Sequence, residues 1–316
     1  MNSYKIAIIQ NKLSTQNREG SDWYKHIISE YKWIKLFHAS NSIDINKAVI
    51  ELQMLQIPTI VIDGGDGTIG LVISSLFNNY KNQSFPSIAL ISSGKTNMTA
   101  QSWGIQGSRE IVLSRLIKKQ LDGKLDKSFH PEIILKVSRE GKPDIYGTFF
   151  GTANIVDSIL FCRKYIYPLG FPNWLSHSLA FIVFIHKALF GSKKVNIIHS
   201  VEIDDKKNQI WSETGNFFIL IVTSLSRLLF SLKPEVIDKD DSISYLTIKQ
   251  KMISIIALLP IMVHKKIKKN KFKKIVKPNS VSIKSINYFT LDGEIYTTNK
   301  NEVINISASH KLNFIR

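Results

Sequence analysis

Three stretches of this chain carry residue types that could bind or move a phosphoryl group. The first is VIDGGDGTIG, residues 61–70. An apolar run there ends in Gly64, Gly65 and Gly67 around Asp66, with Thr68 behind. Glycines expose backbone N–H groups and can take positive φ, and a helix that follows adds its N-terminal dipole, so the segment suits an anion. Asp66 could face a metal or a hydroxyl, and Thr68 a phosphate. The same residues also fit a tight strand–helix turn with Asp66 or Thr68 as N-cap. The second stretch is PSIALISSGKTNMTA, residues 86–100. Its ALISSGKT matches a loose phosphate-loop pattern, with Ala89 where the first glycine usually stands. Such a loop launches a long helix, whereas NMTAQSWG reaches Gly104 within ten residues of Lys95, so the match reads as accidental. Lys95 is left as either a phosphate contact or a solvated loop lysine. The third stretch is LDGEIY, residues 291–296, where Asp292 and Glu294 could serve proton transfer or simply flank an Asp-Gly hairpin turn.

Other reactive types are sparse. Cys162 is the single cysteine, which excludes an intrachain disulfide and a thiolate zinc site and points to a reducing compartment. His177, His186, His199 and His264 show no metal-ligand spacing.

The three motifs, in this order, resemble the diacylglycerol kinase catalytic family, which includes bacterial lipid kinases and sphingosine kinases; NAD kinases share the related loop. DGGDGTI resembles the family's glycine signature. Pro86, Gly94, Asn97 and Ala100 match its second nucleotide loop, GTANIVDSILFCRKYIYPLG its first substrate-domain helix, and LDGE its late acidic motif. The resemblance implies an ATP-dependent kinase acting on the hydroxyl of a diacylglycerol-like or sphingoid lipid, with Mg²⁺ as companion ion. It implies nucleotide contacts from Asn11, Gly64, Gly65, Asp66, Gly67, Thr68, Gly94, Lys95, Thr96 and Asn97. It implies Asp292 as general base, Glu294 assisting, and Asp66 as a partner of the base or a Mg²⁺ contact. Departures accompany it. Gly70 and Leu71 stand where the family has Asn-Glu, Lys95 replaces a threonine, and Met98 replaces an aspartate. The early loop survives only in NKLSTQN, through Asn11 and Ser14. The family's acidic metal segment has no counterpart, so metal ligands stay unassigned. A non-catalytic lipid- or nucleotide-binding relative and a NAD kinase-like enzyme are the alternatives.

The elements that must position these residues follow from hydrophobic period. Apolar runs at 5–9, 33–39, 58–63 and 86–92 alternate with helical patterns at 22–30, 43–56, about 69–78 and 109–121, which predicts an α/β domain with a mainly parallel sheet. On the 43–56 helix, Ile43, Ile45, Ala48, Val49, Leu52 and Leu55 are expected to share the buried face. The polar LDGKLDKSFHP places a boundary between a nucleotide-binding domain, 1–127, and a lipid-substrate domain, 128–316, whose last segment is free to return to the first. The second domain reads as mostly antiparallel, with a hairpin over 132–151, helices near 152–166 and 173–190, and short strands thereafter.

The 316 residues hold 42 Lys+Arg against 25 Asp+Glu, net +17, and 44% are apolar. That balance favours anionic partners, although a lysine-rich composition throughout the chain accounts for it equally. No nucleic-acid motif accompanies it, so nucleic acid is not an expected partner. The longest apolar stretch, 174–191, contains two histidines and a lysine and is short for a membrane crossing. Trp174, Phe181, Phe184 and Phe190 could line an acyl slot or pack a core. MISIIALLPIMV, followed by the basic HKKIKKNKFKKIVK, suits docking on an anionic leaflet or a solvated loop. The expected partners are a lipid substrate, an anionic membrane surface and, optionally, a second copy of the chain; the expected location is cytoplasmic, peripheral on the inner face of the membrane.

Overall fold

The structure is a computed structural model. It describes residues 4–18, 22–80, 84–105, 107–170, 179, 183, 199–205, 210–228, 233–234, 243–250, 266–267, 273–284, 286–299 and 302–316. Trp174, Phe181, Phe184, Phe190, the MISIIALLPIMV segment, most of the basic run after it, and His177, His186 and His264 lie outside these residues. The chain divides into two compact units, Met1–Ile134 with His310–Arg316, and Leu135–Ser309.

In the first unit, strands β1 (Ile6–Asn11), β2 (Ile34–Ala39), β3 (Thr59–Gly64) and β4 (Ser87–Ser92) pair in parallel in the order β2-β1-β3-β4. β1, β3 and β4 are near-continuous apolar runs buried on both faces, as a sheet sandwiched by helices requires. The helices are α1 (Asp22–Glu30), α2 (Ser42–Met54), α3 (Asp66–Asn79), α4 (Met98–Ser102) and α5 (Arg109–Leu121). Asn41 caps α2 by accepting the Asp44 N–H at 2.9 Å, and Ser108 caps α5 through the Ile111 N–H. One sheet face packs Ile6, Ile8, Val61, Ala89 and Ile91 against Tyr24 of α1 and Leu113, Leu116 and Ile117 of α5. Burying such a side chain contributes about 1.5–3 kcal/mol before the entropy of ordering is subtracted. α2 buries Ile45, Ala48, Val49 and Leu52, but Ile43 is 64% and Leu55 41% exposed. That corrects the expected face: residues two apart on a helix diverge by about 200°, so Ile43 cannot accompany Ile45. Phe314, from the end of the chain, lies beside Ile88 in parallel register, and its ring meets that of Trp103 with centroids 4.0 Å apart.

The second unit is mostly antiparallel. β5 (Phe129–Arg139) and β6 (Lys142–Gly147) form the predicted hairpin. β7 (Phe149–Ala153) leads into α6 (Asn154–Phe161), a π-helical turn at Cys162–Ile166 and a 3₁₀ turn at Tyr167–Leu169. The remaining strands are β8 (His199–Asp205), β9 (Ile210–Gly215), β10 (Phe217–Thr223), β11 (Lys233–Pro234), β12 (Ser244–Lys249), β13 (Lys266–Ile267), β14 (Lys273–Val276), β15 (Pro278–Lys284), β16 (Tyr288–Leu291), β17 (Glu294–Thr297) and β18 (Ile304–Ile315). One sheet runs β14-β12-β10-β7-β16-β17; β9, β8, β15 and the start of β18 form a further antiparallel run. The expected fold class, a parallel α/β unit followed by a mostly antiparallel one, is what the chain adopts.

Candidate functional site

In the first unit, β1 connects outward to β2 and the chain then crosses back to β3. The strand order therefore reverses between β1 and β3, and a crevice opens at their carboxyl ends, where open α/β sheets bind ligands. Asn11 ends β1 and Gly64 ends β3, so the sheet places the early loop and the glycine loop at this point.

The glycines are required here for a reason other than the one the sequence suggests. Gly64, Gly65, Gly67 and Gly94 do not adopt positive φ. They permit close approach. A Cβ built on Gly94 would lie 2.5 Å from the Gly65 Cα, and one on Gly65 would lie 3.0 Å from the Gly94 Cα. A Cβ on Gly64 would meet the Thr68 side chain at 2.6 Å. The two nucleotide loops thus touch backbone to backbone. α3 begins at Asp66, three residues before the expected start, because its first turn is made of residues without apolar period. Gly65 is its N-cap and supplies no side-chain bond, so no cap side chain stands over the amides of the first turn.

The predicted site side chains gather around these loops but bond to the protein. Asn11 Nδ2 donates to Thr68 Oγ1 at 2.7 Å, and Thr68 is buried. Asp66 accepts the N–H groups of Met98 and Thr99 at 3.0 and 2.9 Å; it caps α4, not its own helix. Burial pushes its carboxyl above the ordinary range, against the pull of those two N–H groups. Asn97 sits at φ +50°, a left-handed conformation that asparagine tolerates, and its amide both accepts from Gly94 N and donates to Gly94 O at 2.9 Å. Lys95 and Thr96 are half-buried within that closed loop. α4 has five residues, so SGKT launches no phosphate-loop helix.

In the second unit, Asp292 and Gly293 form the two-residue turn between β16 and β17, at φ +50° and +90°. Positive φ at both central positions is the turn type that Asp-Gly favours in hairpins. Asp292 is 4% exposed. Its carboxylate accepts the Thr148 N–H at 2.9 and 3.1 Å, the Thr148 hydroxyl at 2.8 Å and the Phe149 N–H at 2.9 Å. A Cβ on Gly147 would collide with this carboxylate and with Leu291. Arg163 holds the turn from the other side by donating to Gly293 O at 2.7 Å. Glu294 opens β17, paired with Leu291 across the turn.

Residues 5–124 match the model of the diacylglycerol kinase catalytic domain. This segment is similar to the diacylglycerol kinase catalytic domain. Among solved structures, two from Bacillus anthracis str. Sterne, one named "a putative diacylglycerol kinase" and the other a diacylglycerol kinase, are similar over 98% of this chain and 96% of theirs. One is 17% identical with a TM-score of 0.66, the other 15% identical with a TM-score of 0.63. At this identity the likeness concerns the fold, and it extends through both units. No curated protein sequence matches the chain.

Within this segment, the sequence reading missed four residues behind the glycine loop. Asp63 is fully buried and bonded to Tyr24, Asn17 and Ser93. An aspartate ending an apolar strand was the available signal; its partners lie 30 to 46 residues away and carry none. The chemistry of the loops suits a nucleotide phosphate: the Gly65–Gly94 contact, which any Cβ would force apart, holds the N-terminus of α3 beside the second loop. The residues present do not gather around Mg²⁺: among the described residues no group of three His, Cys, Asp or Glu could hold a metal, and both Asp66 oxygens face Met98 and Thr99. No helix among the described residues is long and apolar enough to cross a membrane.

Proposed function

We propose that this chain is an ATP-dependent lipid kinase that phosphorylates a hydroxyl of a diacylglycerol-like or sphingoid lipid. The observation that carries the reading is the backbone contact of Gly65 with Gly94, beside the strand-order reversal, in a segment similar to the diacylglycerol kinase catalytic domain. Phosphoryl transfer needs positioning and charge stabilisation more than covalent help. The reading assigns the first-turn amides of α3 to the nucleotide phosphates, while Asn11, Thr68, Asp66 and Asn97 lock the loops that present those amides. As the hydroxyl oxygen bonds to the γ-phosphorus, the bond to the β–γ bridging oxygen breaks and ADP leaves with that electron pair. The hydroxyl proton passes to Asp292, whose carboxylate is held in place by Thr148 and Phe149.

An anionic membrane surface is the proposed meeting place with the lipid. The outer side of α6 and the turns after it supports this. Leu160, Tyr165 and Leu169 are 47%, 53% and 61% exposed, with exposed Arg163 and Lys164 between them. Apolar side chains interleaved with cations suit the headgroup boundary.

A second reading, a nucleotide-binding relative without turnover, is favoured by the interior position of Asp292. Purified protein, labelled ATP and mixed lipid vesicles separate the two: labelled lipid supports the kinase, and ADP binding without labelled product on any lipid supports the second. On the kinase reading, Asp292→Asn lowers turnover by about 10²–10⁴-fold while ADP affinity is retained; undiminished turnover removes Asp292 from the base role.

A further inference from the structure

We infer that Asp63, the residue that leads into Gly64 and Gly65, is the positioning residue that sets the shape of the phosphate crevice; this rests on reading the glycine loop as the nucleotide site. Asp63 is the penultimate residue of β3 and has no exposed surface. Its Oδ2 accepts the Tyr24 hydroxyl at 2.7 Å. Its Oδ1 accepts Asn17 Nδ2 at 3.1 Å and the Ser93 hydroxyl, and its carbonyl accepts Asn17 Nδ2 at 3.4 Å. Tyr24 belongs to α1, Asn17 to the loop after β1 and Ser93 to the loop after β4. These are the segments that surround the Gly64–Gly65 backbone, and one carboxylate ties all three to it. The Gln16 N–H, bonded to Ser93 O at 3.1 Å, and Arg109, bonded to Gln16 O at 2.9 Å, extend the same tie.

Residue type matters here. Three donors converge, and a carboxylate can accept all of them on two oxygens, whereas an amide has one accepting oxygen. Tyr24 stays a donor, because burial and then the Asp63 charge push its phenol far above the ordinary range. Stability alone does not account for this polar patch. Burying a carboxylate among neutral donors is costly compared with apolar packing of the same volume. Both amide atoms of Gln10, the register partner of Asp63 on β1, are buried without a partner, as is Asn17 Oδ1. Such atoms lower stability and, in native proteins, mark places where something other than stability is served. The Asp63 carboxylate, with both oxygens bonded at the edge of that patch, is a means of fixing loop geometry.

The test combines three readouts on Asp63→Ala, Asp63→Asn, Tyr24→Phe and Ser93→Ala: ADP affinity by calorimetry, melting temperature, and hydrogen exchange of the amides at 11–18 and 93–97. Asp63→Ala is expected to weaken ADP binding by about tenfold or more and to speed exchange in both loops. Asp63→Asn keeps the oxygen used by Asn17 and Ser93, and the Tyr24 hydroxyl can turn to accept from the new amide. Affinity should therefore return to within about threefold of wild type. Tyr24→Phe and Ser93→Ala each remove one donor and should give intermediate losses, which keeps the idea testable if the alanine variant at 63 does not fold. A lower melting temperature with unchanged ADP affinity and unchanged loop exchange overturns the inference. If the wild type binds no ADP, the nucleotide reading fails, and the exchange data alone decide: faster exchange supports the tie, unchanged exchange removes it.

Discussion

Alanine at Gly94 isolates the contact on which the nucleotide reading rests. Its Cβ would stand 2.5 Å from the Gly65 Cα, a backbone atom that no rotamer change can move away. Carbon atoms pack at about 3.5–4.0 Å, so the two loops must part by about 1 Å. Forcing extra volume into packed structure costs about 1–3 kcal/mol. For a unit of this size that lowers the melting temperature by several degrees, at about 2–8 °C per kcal/mol. The effect on ligand should exceed the effect on stability. The phosphate-facing amides move with the loops, and a misplacement of about 1 Å can cost about 10²-fold in a positioned interaction. Gly65→Ala provides the internal scale: its Cβ would be 3.0 Å from Gly94 Cα, a lesser clash, and its φ of −93° suits alanine. ADP titration calorimetry and scanning calorimetry on both variants should rank the losses Gly94→Ala above Gly65→Ala. Wild-type ADP affinity in Gly94→Ala would refute the claim that this approach builds the phosphate cradle.

Lys95→Thr, which installs the family residue in a loop already closed by Asn97, should retain or raise lipid phosphorylation in the vesicle assay; complete loss would restore a phosphate-binding role to the lysine. Glu302 offers a pH test. Burial lifts its carboxyl, but the Asn299 N–H and the Lys142 ammonium outweigh it and hold the group below the ordinary glutamate range. A depressed carboxyl stabilises the fold above its unfolded value and loses that contribution as pH falls through the folded one. Glu302→Gln should therefore flatten part of the acid limb of a melting temperature–pH curve, and an unaltered limb would count against the pair. The paired change Leu160→Ser with Tyr165→Ser should reduce co-sedimentation with phosphatidylserine vesicles and leave ADP binding intact, since both side chains are already half exposed; equal sedimentation would move the membrane contact elsewhere.

Much of the first unit is legible without coordinates. Its four strands and the helices at 22–30 and 109–121 fall where apolar period indicates. α3 was expected too late because Gly67 and Thr68 carry no hydrophobic period, although they are helical. The face of α2 was drawn too wide because Ile43 and Leu55 are apolar by type, and exposure is not written in type. The Asp292 turn was legible as a hairpin. Its burial was not, because the donors come from Thr148 and Phe149, 144 and 143 positions away.

Residue order alone settled the alternation of strands and helices, the positions of the two glycine-bearing loops after β3 and β4, and the Asp-Gly turn, since each depends on neighbours within a few positions. Only the tertiary structure decided what those residues do. A parallel sheet brings the carboxyl ends of β1, β3 and β4 to one edge, so Asn11 reaches Thr68, Asp66 caps α4, and Asp63 collects Tyr24, Asn17 and Ser93. The glycines read as flexible turn residues are there because two backbones must touch, a distance set by strand pairing and invisible along the chain.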